Sequence, residues 1–248
     1  MRLFLIAGSV MRDSFRQYLR HHRLNWRRTK ASPVGQQLIE FAGRICYLSF
    51  GKRQSPKGNS EYVRRLITEG HESVLEHVTY SILVDGISRG LSHQLVRHRA
   101  GFSFSQLSQQ YHDEGSANFV VPNGVDVSDN IAKLWRAGVL TSKRTYRLLI
   151  RALTASEYGK DLSSKERLRA IRSAARSVLP NATETTLVIS GNVRAWRNMI
   201  AVRGRILGDM EMREFCVGVF RLLRKEVPDA FVDFEVGRDE LGEFVYKI

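Results

Sequence analysis

The hydrophobic periodicity of the chain changes after His77, and this change constrains the fold more than any other local pattern. Apolar residues alternate with their neighbours from 78 to 84, the period of a β-strand. Between 87 and 95 they recur every four residues instead, which predicts a helix. Gln94 lies three residues before Arg97, so the two share a helical face. The end of this helix is therefore predicted to present an amide and a cation to one ligand.

The segment after this helix combines cations with neutral hydrogen-bonding groups. Arg97-His98-Arg99 runs into a stretch of hydroxyls and amides that ends at Tyr111. Arginine offers a rigid fork that matches phosphate oxygens, while serine and glutamine add donors without charge. This composition is unusual for a core and for a loose basic tail. It predicts a pocket for an anionic, planar molecule.

The rest of the chain mixes helical and strand patterns, and we find no internal repeat or low-complexity linker. The apolar start of the chain is too short for a signal peptide, so we interpret it as an opening strand. Ser163-x-x-Glu166 has the form of a capping box, and the helix it opens must end by Pro180. Further helices are predicted at 36–48, 60–69, 128–158, 192–203 and 212–223, and further strands at 183–190, 231–236 and 243–248.

Composition limits the class of protein. A chain of 248 residues with 43% hydrophobic content can bury a full core, and we expect a single domain spanning 1–248. No apolar run reaches the length of a membrane span. The two cysteines, Cys46 and Cys216, are far apart, which predicts a reducing, cytoplasmic setting in which both thiols are small buried hydrophobic groups.

The net charge of +14 and pI of about 10.2 raise nucleic-acid binding as an alternative. The densest basic stretch runs from Arg16 to Lys30, and other arginines recur within helical patterns. We interpret most of this charge as solvated helix surface. The remainder can serve several anionic small molecules bound together.

Several motifs, taken in order, resemble those of the flavin-dependent thymidylate synthases. Arg97-His98-Arg99 followed closely by Ser108 is similar to the family's signature. Upstream, 70–77 resembles its Gly-His-x-Ser/Thr-x-x-Glu-His segment. Downstream, 175–180 resembles Ala-Arg-x-x-Leu-Pro, and Asn192-x-Arg194 resembles its Asn-x-Arg segment. Each short match is weak alone, and together they identify the superfamily.

The resemblance implies an α+β fold with a mixed sheet and flanking helices, assembled as a homotetramer that shares active sites among subunits. It implies binding of FAD and C5 methylation of a uracil nucleotide, with methylenetetrahydrofolate as carbon donor and NADPH as co-substrate. Arg203, Arg97 and Ser108 would be catalytic, the two arginines stabilising charge on the uracil carbonyl. Cofactor-binding positions would be His71, Ser73, Glu76, Arg97, His98, Arg99, Asn192, Arg194 and Asn198. Substrate-binding positions would be Gln94, Arg97, Gln106, Ser108, Gln110, Arg176 and Arg203.

Departures from the family pattern bear on the substrate. One extra residue separates Arg99 from Ser108, and Gln110 stands where many members place an arginine. Leu207 replaces a flavin-side histidine, and Asp209 is a milder change. Some homologues in nucleoside-antibiotic pathways methylate UMP. We therefore expect UMP to be accepted at least alongside dUMP, because an amide near the sugar could pair with a 2′-hydroxyl.

Alternatives stay open for individual residues and for the whole chain. The spacing of His71 and His77 does not suit a zinc motif, and we expect no metal. Arg176 and Arg194 could be ion-pair partners of acidic residues. Neither cysteine lies in an electropositive motif, so we expect no thiolate nucleophile. A flavin- and nucleotide-binding protein without methylase activity, and a basic nucleic-acid-binding protein, are the competing functions.

Overall fold

The structure, a computed structural model, describes all residues from 1 to 248. In chain order its elements are β1 (Arg2–Gly8), α1 (Phe15–His21), α2 (Val34–Tyr47), α3 (Asn59–Thr68), β2 (Thr79–Ser88), α4 (Arg89–Leu95), β3 (Phe102–Gln106), α5 (Asp129–Ala155), α6 (Ser164–Ala175), β4 (Glu184–Asn192), α7 (Val193–Arg203), α8 (Met210–Glu226), β5 (Phe234–Asp239) and β6 (Gly242–Lys247). Short 3-10 turns include Glu72–His77, Arg176–Val178 and Pro228–Phe231. None of the helices combines the length and apolar character that crossing a membrane requires.

The strands form a four-stranded sheet in the order β1-β2-β4-β3 and a separate hairpin of β5 and β6. Ser81 faces Ser190 and Asp85 faces Thr186, each pair at 2.7 Å, so β2 and β4 are antiparallel. Ser9 pairs with Thr79 and Arg2 with Asp85, so β1 and β2 are also antiparallel. The backbone bonds at the two ends of β3 show the same direction relative to β4. The class is α+β as expected, but the sheet is antiparallel and not mixed. β2 and β3 do run in the same direction, yet β4 lies between them.

The chain divides into two compact units. The first unit consists of 1–2, 84–97 and 104–188, and the second of 3–83, 98–103 and 189–248. In the first unit the long helix α5 packs against α6, with Tyr146 and Ile171 buried. Each of these helices begins at a serine, Ser128 or Ser163, whose side chain accepts a hydrogen bond from a backbone N–H three residues on. The predicted cap at Ser163 is thus confirmed.

The second unit contains the larger apolar core. There α8 packs against α7 and β6, and its buried face includes Phe215 and Phe220. Trp196 on α7 is fully buried and meets Phe102 edge-on at 4.8 Å between ring centroids. A satellite group, here called the N-terminal aromatic cluster, lies under α1 and α2. It consists of Leu19, Trp26 and Phe50 with Met11, Phe15, Leu24, Phe41 and Ile45 around them.

Most predicted elements are present, with shifted ends. Ile87 belongs to β2 and not to the following helix, because the Ser88 side chain caps α4 by accepting from the Leu91 N–H. The C-terminal hairpin starts at Phe234 and not at 231, because a 3-10 turn covers Pro228–Phe231. The expectation that both thiols are buried is wrong for Cys46, which lies on the exposed side of α2.

Candidate active site

A pocket of about 510 Å³ in the second unit gathers several of the positions singled out from the sequence. Asn192 is the N-cap of α7, Arg194 and Asn198 lie in its first half, and Glu76 comes from the 3-10 turn that precedes β2. Asn192 forms the N-cap of α7, because its Oδ1 accepts from the Ala195 N–H at 2.8 Å. The cap therefore determines where the polar residues of the first helical turn lie around the pocket.

Glu76 and Arg194 form an ion pair at the wall of this pocket. The Arg194 Nη1 donates to Glu76 Oε1 at 2.6 Å, and both side chains are 49% exposed. Arg194 therefore does have an acidic ion-pair partner, as the alternative interpretation of the sequence expected. A pair this exposed contributes about 0–1 kcal/mol to folding. Either partner can thus exchange the other for a ligand group at little cost.

A second arginine of the same helix, Arg197, is 2% exposed and holds two carboxylates. It donates to Asp233 at 2.7 and 2.8 Å and to Glu72 Oε1 at 3.0 Å. Its Nε is buried beside the pocket and has no hydrogen-bond partner in the protein. Burial alone raises the pKa of Asp233, but the hydrogen bonds and charge of Arg197 outweigh it, so that pKa lies below its ordinary value.

His98 and Arg203 are in contact although they are far apart in the chain. The Arg203 Nε donates to His98 Nε2 at 3.3 Å. Burial, and then the positive charge of Arg203, lower the pKa of His98 below its ordinary value. His98 is therefore neutral at neutral pH, and its Nε2 lone pair is the acceptor that orients the guanidinium. This contact links two positions that the sequence assigned to the flavin and to the pyrimidine.

Two close backbone contacts position the ends of α7. Gly101 has φ +75°, and a Cβ there would meet Asn192 Nδ2 at 2.7 Å and the Ala195 Cβ at 2.8 Å. At the other end Gly204 accepts from the Val245 N–H, and a Cβ would approach Val245 O to 2.3 Å. Only glycine fits at either place. Gly101 therefore lets the loop pass close to the N-cap of α7, and Arg203 lies next to the contact with β6.

The first unit carries the positions expected to bind the nucleotide. Gln106 on β3 donates to Ser92 Oγ at 2.8 Å, and the Ser108 Oγ accepts from the Gln110 N–H at 3.3 Å. The Gln110 Nε2 donates to Ser173 Oγ on α6 at 3.4 Å. Gln94 lies on α4, and Arg97 is exposed two residues beyond the helix end. The amides of Gln106 and Gln110 are therefore already oriented by bonds within this unit.

Arg89 is a residue of this unit that the sequence did not single out. Its Nη2 donates to the Leu107 carbonyl at 2.7 Å, just before Ser108, and its Nε is buried without a partner. Burial lowers the pKa of Arg89, opposed by Glu114 and assisted by the positive charge of Arg176. Arg89 and Arg176 are thus close enough for their charges to interact. Arg176 itself begins the 3-10 turn after α6 and is half-buried.

The remaining predicted positions are more exposed. His71 and Ser73 lie at the start of the 3-10 turn that contains Glu76, and the His71 Nδ1 is 3.8 Å from Glu69. Arg99 is exposed in the loop between α4 and β3, in the stretch 98–103 that belongs to the second unit. No group of three His, Cys, Asp or Glu side chains is arranged to hold a metal ion.

Eight residues of the pocket were missed from the sequence, and the four of them with long side chains are Glu72, Arg197, Phe234 and Lys247. Arg197 follows Arg194 by three positions, which was a weak signal for a shared helical face. Phe234 and Lys247 face each other in the register of the C-terminal hairpin, and the Lys247 Nζ lies 3.4 Å from Asp233. No local pattern could have connected the last strand to motifs far upstream.

Comparison with known proteins places the chain in a family. The family model described as "Thymidylate synthase complementing protein" matches residues 29–229. The flavin-dependent thymidylate synthase of Mycobacterium avium is 43% identical over 204 residues, covering 82% of this chain and 80% of that protein. The chain belongs to the flavin-dependent thymidylate synthase family. The Mycobacterium leprae enzyme of the same name is 39% identical over 224 residues, covering 89% of this chain and 87% of its own.

A solved structure of a family member shares the fold. It is the flavin-dependent thymidylate synthase of Helicobacter pylori in complex with FAD and dUMP, with a TM-score of 0.62. The match covers 94% of this chain and 99% of that one, at 19% sequence identity. At this identity the likeness establishes the fold alone. The fold expected from the motifs is thereby confirmed.

Proposed function

We propose that this chain methylates the uracil ring of dUMP at C5, with FAD as bound redox cofactor, methylenetetrahydrofolate as carbon donor and NADPH as reductant. The observation that carries the proposal is the bond between His98 and Arg203, which joins a flavin-side position to a pyrimidine-side position of the family pattern. The names of the mycobacterial relatives support the same reaction, and the Helicobacter pylori protein was solved with FAD and dUMP.

The pocket of the second unit has donors that suit a flavin nucleotide. Asn198 presents an exposed amide, and the buried Arg197 Nε has no partner. Arg194 is held only by its exposed pair with Glu76. Such donors match diphosphate oxygens and ring carbonyls. The residues that would hold FAD are His71, Ser73, Glu76, Arg97, His98, Arg99, Asn192, Arg194 and Asn198. When bound, FAD supplies the electrons that reduce the transferred carbon to a methyl group.

Activation of uracil is assigned to arginine and not to a thiolate. Burial raises the pKa of the Cys216 thiol to about 12, so it stays protonated at neutral pH. Cys46 is exposed on α2, and its Sγ donates to the Ala42 carbonyl at 3.5 Å. Arg203 and Arg97 would instead stabilise negative charge on the pyrimidine carbonyl. His98 accepts from one edge of the Arg203 guanidinium, which leaves the other N–H groups for substrate.

Nucleotide binding is assigned to the positions that the family resemblance indicates. The positive charges of Arg89 and Arg176 would attract the phosphate, while Ser108 would add a neutral donor. The full proposed set is Gln94, Arg97, Gln106, Ser108, Gln110, Arg176 and Arg203. The proposal also takes the chain as one functional domain, working in the cytoplasm as a homotetramer. Light scattering of the purified protein tests the assembly.

The decisive experiment measures flavin binding and product together. The purified protein should bind FAD saturably by fluorescence and convert dUMP to dTMP with methylenetetrahydrofolate and NADPH. Arg203→Ala should lower kcat at least about a hundredfold, as is typical when a charge-stabilising donor is removed. Arg151→Ala on the exposed face of α5 is the matched control and should change kcat little. Saturable FAD binding without dTMP would reject the methylase, and absence of FAD binding would reject the whole proposal.

A further inference from the structure

The chain before Glu40 is strongly unbalanced in charge. It contains eight lysines and arginines and one acidic residue, Asp13. Most of this segment precedes residue 29, where the family match begins. None of it lines the pocket of the second unit. Its charge is therefore not accounted for by the proposed reaction.

Four of these arginines lie along α1 and its flanking turns, here called the basic strip: Arg12, Arg16, Arg20 and Arg23. Backbone hydrogen bonds add a turn before the helix from Arg12, and Arg23 follows the helix end with a left-handed backbone, at φ 52°. Spacings of four residues place Arg12, Arg16 and Arg20 on one face. At 1.5 Å per residue these three arginines span about 12 Å. All four are exposed, and Arg16 pairs with Asp13 while the other three make no ion pair.

The strip is held in place by the apolar side of the same helix. Met11, Phe15 and Leu19 pack into the N-terminal aromatic cluster. The Phe15 ring meets Trp26 and Phe41 edge-on, at 5.6 and 5.5 Å between centroids. These apolar side chains are thus engaged within the protein. They are not available to enter a lipid bilayer, as the apolar face of a membrane-bound helix would be.

Exposed rings accompany the strip and are here called the ring group: Tyr18, His21 and His22. The Tyr18 and His22 rings lie 4.5 Å apart between centroids and are tilted, and the His21 and His22 rings meet edge-on at 4.8 Å. Tyr18 is 36% exposed, and both histidines are exposed. An exposed ring offers a flat face to another aromatic group. Nucleobases stack on such rings when they are not already stacked in a duplex.

We propose that α1 and its flanking turns bind single-stranded nucleic acid, with phosphates along the basic strip and a base on one face of the ring group. The length of the strip suits a polyanion, because a single small anion could reach only one or two of its arginines. The ring group favours single strands over duplex, in which the bases are covered. This activity is separate from the methylation proposed above, and neither requires the other.

The test measures binding of a labelled 20-nucleotide oligo(dA) by fluorescence anisotropy at several salt concentrations. Adenine is used because a uracil oligonucleotide could enter the proposed active site. The triple variant Arg12→Gln, Arg16→Gln, Arg20→Gln should weaken binding and reduce the slope of log K against log salt by about 2, given about 0.7 per phosphate contact on single strands. The matched control is Arg136→Gln, Arg144→Gln, Arg151→Gln on α5, where all three arginines are exposed and the net charge falls equally.

A second variant separates base stacking from charge. Tyr18→Ala should weaken oligo(dA) binding by roughly fivefold or more and leave binding of inorganic polyphosphate unchanged. Equal losses in the α1 and α5 triple variants would overturn the proposal, as would equal affinity for polyphosphate and oligo(dA). Capture by phosphatidylcholine–phosphatidylserine vesicles, in the absence of oligo(dA) binding, would overturn it in favour of a lipid surface. An unchanged far-UV circular dichroism spectrum of each variant verifies that the protein is folded.

Discussion

Replacement of Arg197 by methionine tests how the second unit is held together. Arg197 is 2% exposed and gives three hydrogen bonds to the carboxylates of Asp233 and Glu72. Methionine keeps much of the side-chain volume but leaves these carboxylates without their partner. Breaking a buried ion pair from one side typically costs about 3–5 kcal/mol. For a protein of this size that corresponds to a drop in Tm of roughly 6–20 °C.

The same helix supplies the control. Arg194→Met also removes an arginine from a short ion pair, but Arg194 and Glu76 are each 49% exposed, so the expected cost is about 1 kcal/mol or less. Urea unfolding at pH 7 measures both variants. Adding Asp233→Asn to Arg197→Met should recover part of the loss, because the neutral amide removes the unpaired charge. Equal losses for Arg197→Met and Arg194→Met would refute the reasoning.

The acid dependence follows from the same contacts. The pKa of Asp233 is lowered in the folded protein, so its contribution to stability is present above the ordinary carboxyl pKa of 3.8 and is lost as pH falls below it. Without Arg197, burial would raise that pKa. Acid unfolding of Arg197→Met should therefore begin at a higher pH than that of the wild type, as followed by circular dichroism.

Three further outcomes are expected. The pKa of His98 is lowered, so below its ordinary value of 6.5 the unfolded chain takes up a proton before the folded one, and stability falls with pH. His98→Asn should flatten this dependence below pH 6.5 in urea titrations. The double variant Cys46→Ser, Cys216→Ala should keep dTMP formation, and complete loss with FAD still bound would contradict the arginine mechanism. The Gln110 Nε2 donates to Ser173, which leaves the side-chain carbonyl of Gln110 to accept from a 2′-hydroxyl. The kcat/KM for UMP should therefore lie within roughly a hundredfold of that for dUMP. Gln110→Arg should increase the ratio of the dUMP value to the UMP value.

Periodicity predicted most of the regular elements. The first part of the strand at 79–88, the cap at Ser163 and the helix opened by Asn192 all follow from local rules about alternation and N-caps. Helix α1 and strand β3 were not predicted. The first spans seven residues among many arginines, and the second spans five with polar residues at alternate positions. In both, packing against distant side chains decides the conformation.

Sequence motifs predicted only part of the candidate site. Asn192, Arg194 and Asn198 follow from one helical segment that resembles the family pattern, and they line one pocket. The partners of those residues were not predictable. Glu76 pairs with a residue more than a hundred positions away, and Lys247 reaches the pocket from the last strand. Such pairs depend on the register of the sheet and hairpin, which no short pattern encodes.

The bond between Gly204 and Val245 means that the family match does not mark a physical boundary. The match ends at residue 229, whereas the helix that carries Arg203 is anchored at its end by β6, in the last few residues of the chain. A chain trimmed to the matched region would retain every recognisable motif. It would nevertheless lose the strand that holds the end of α7 and one wall of the pocket. Shortening this protein from its C-terminus would thus remove parts of the site that sequence comparison does not reveal.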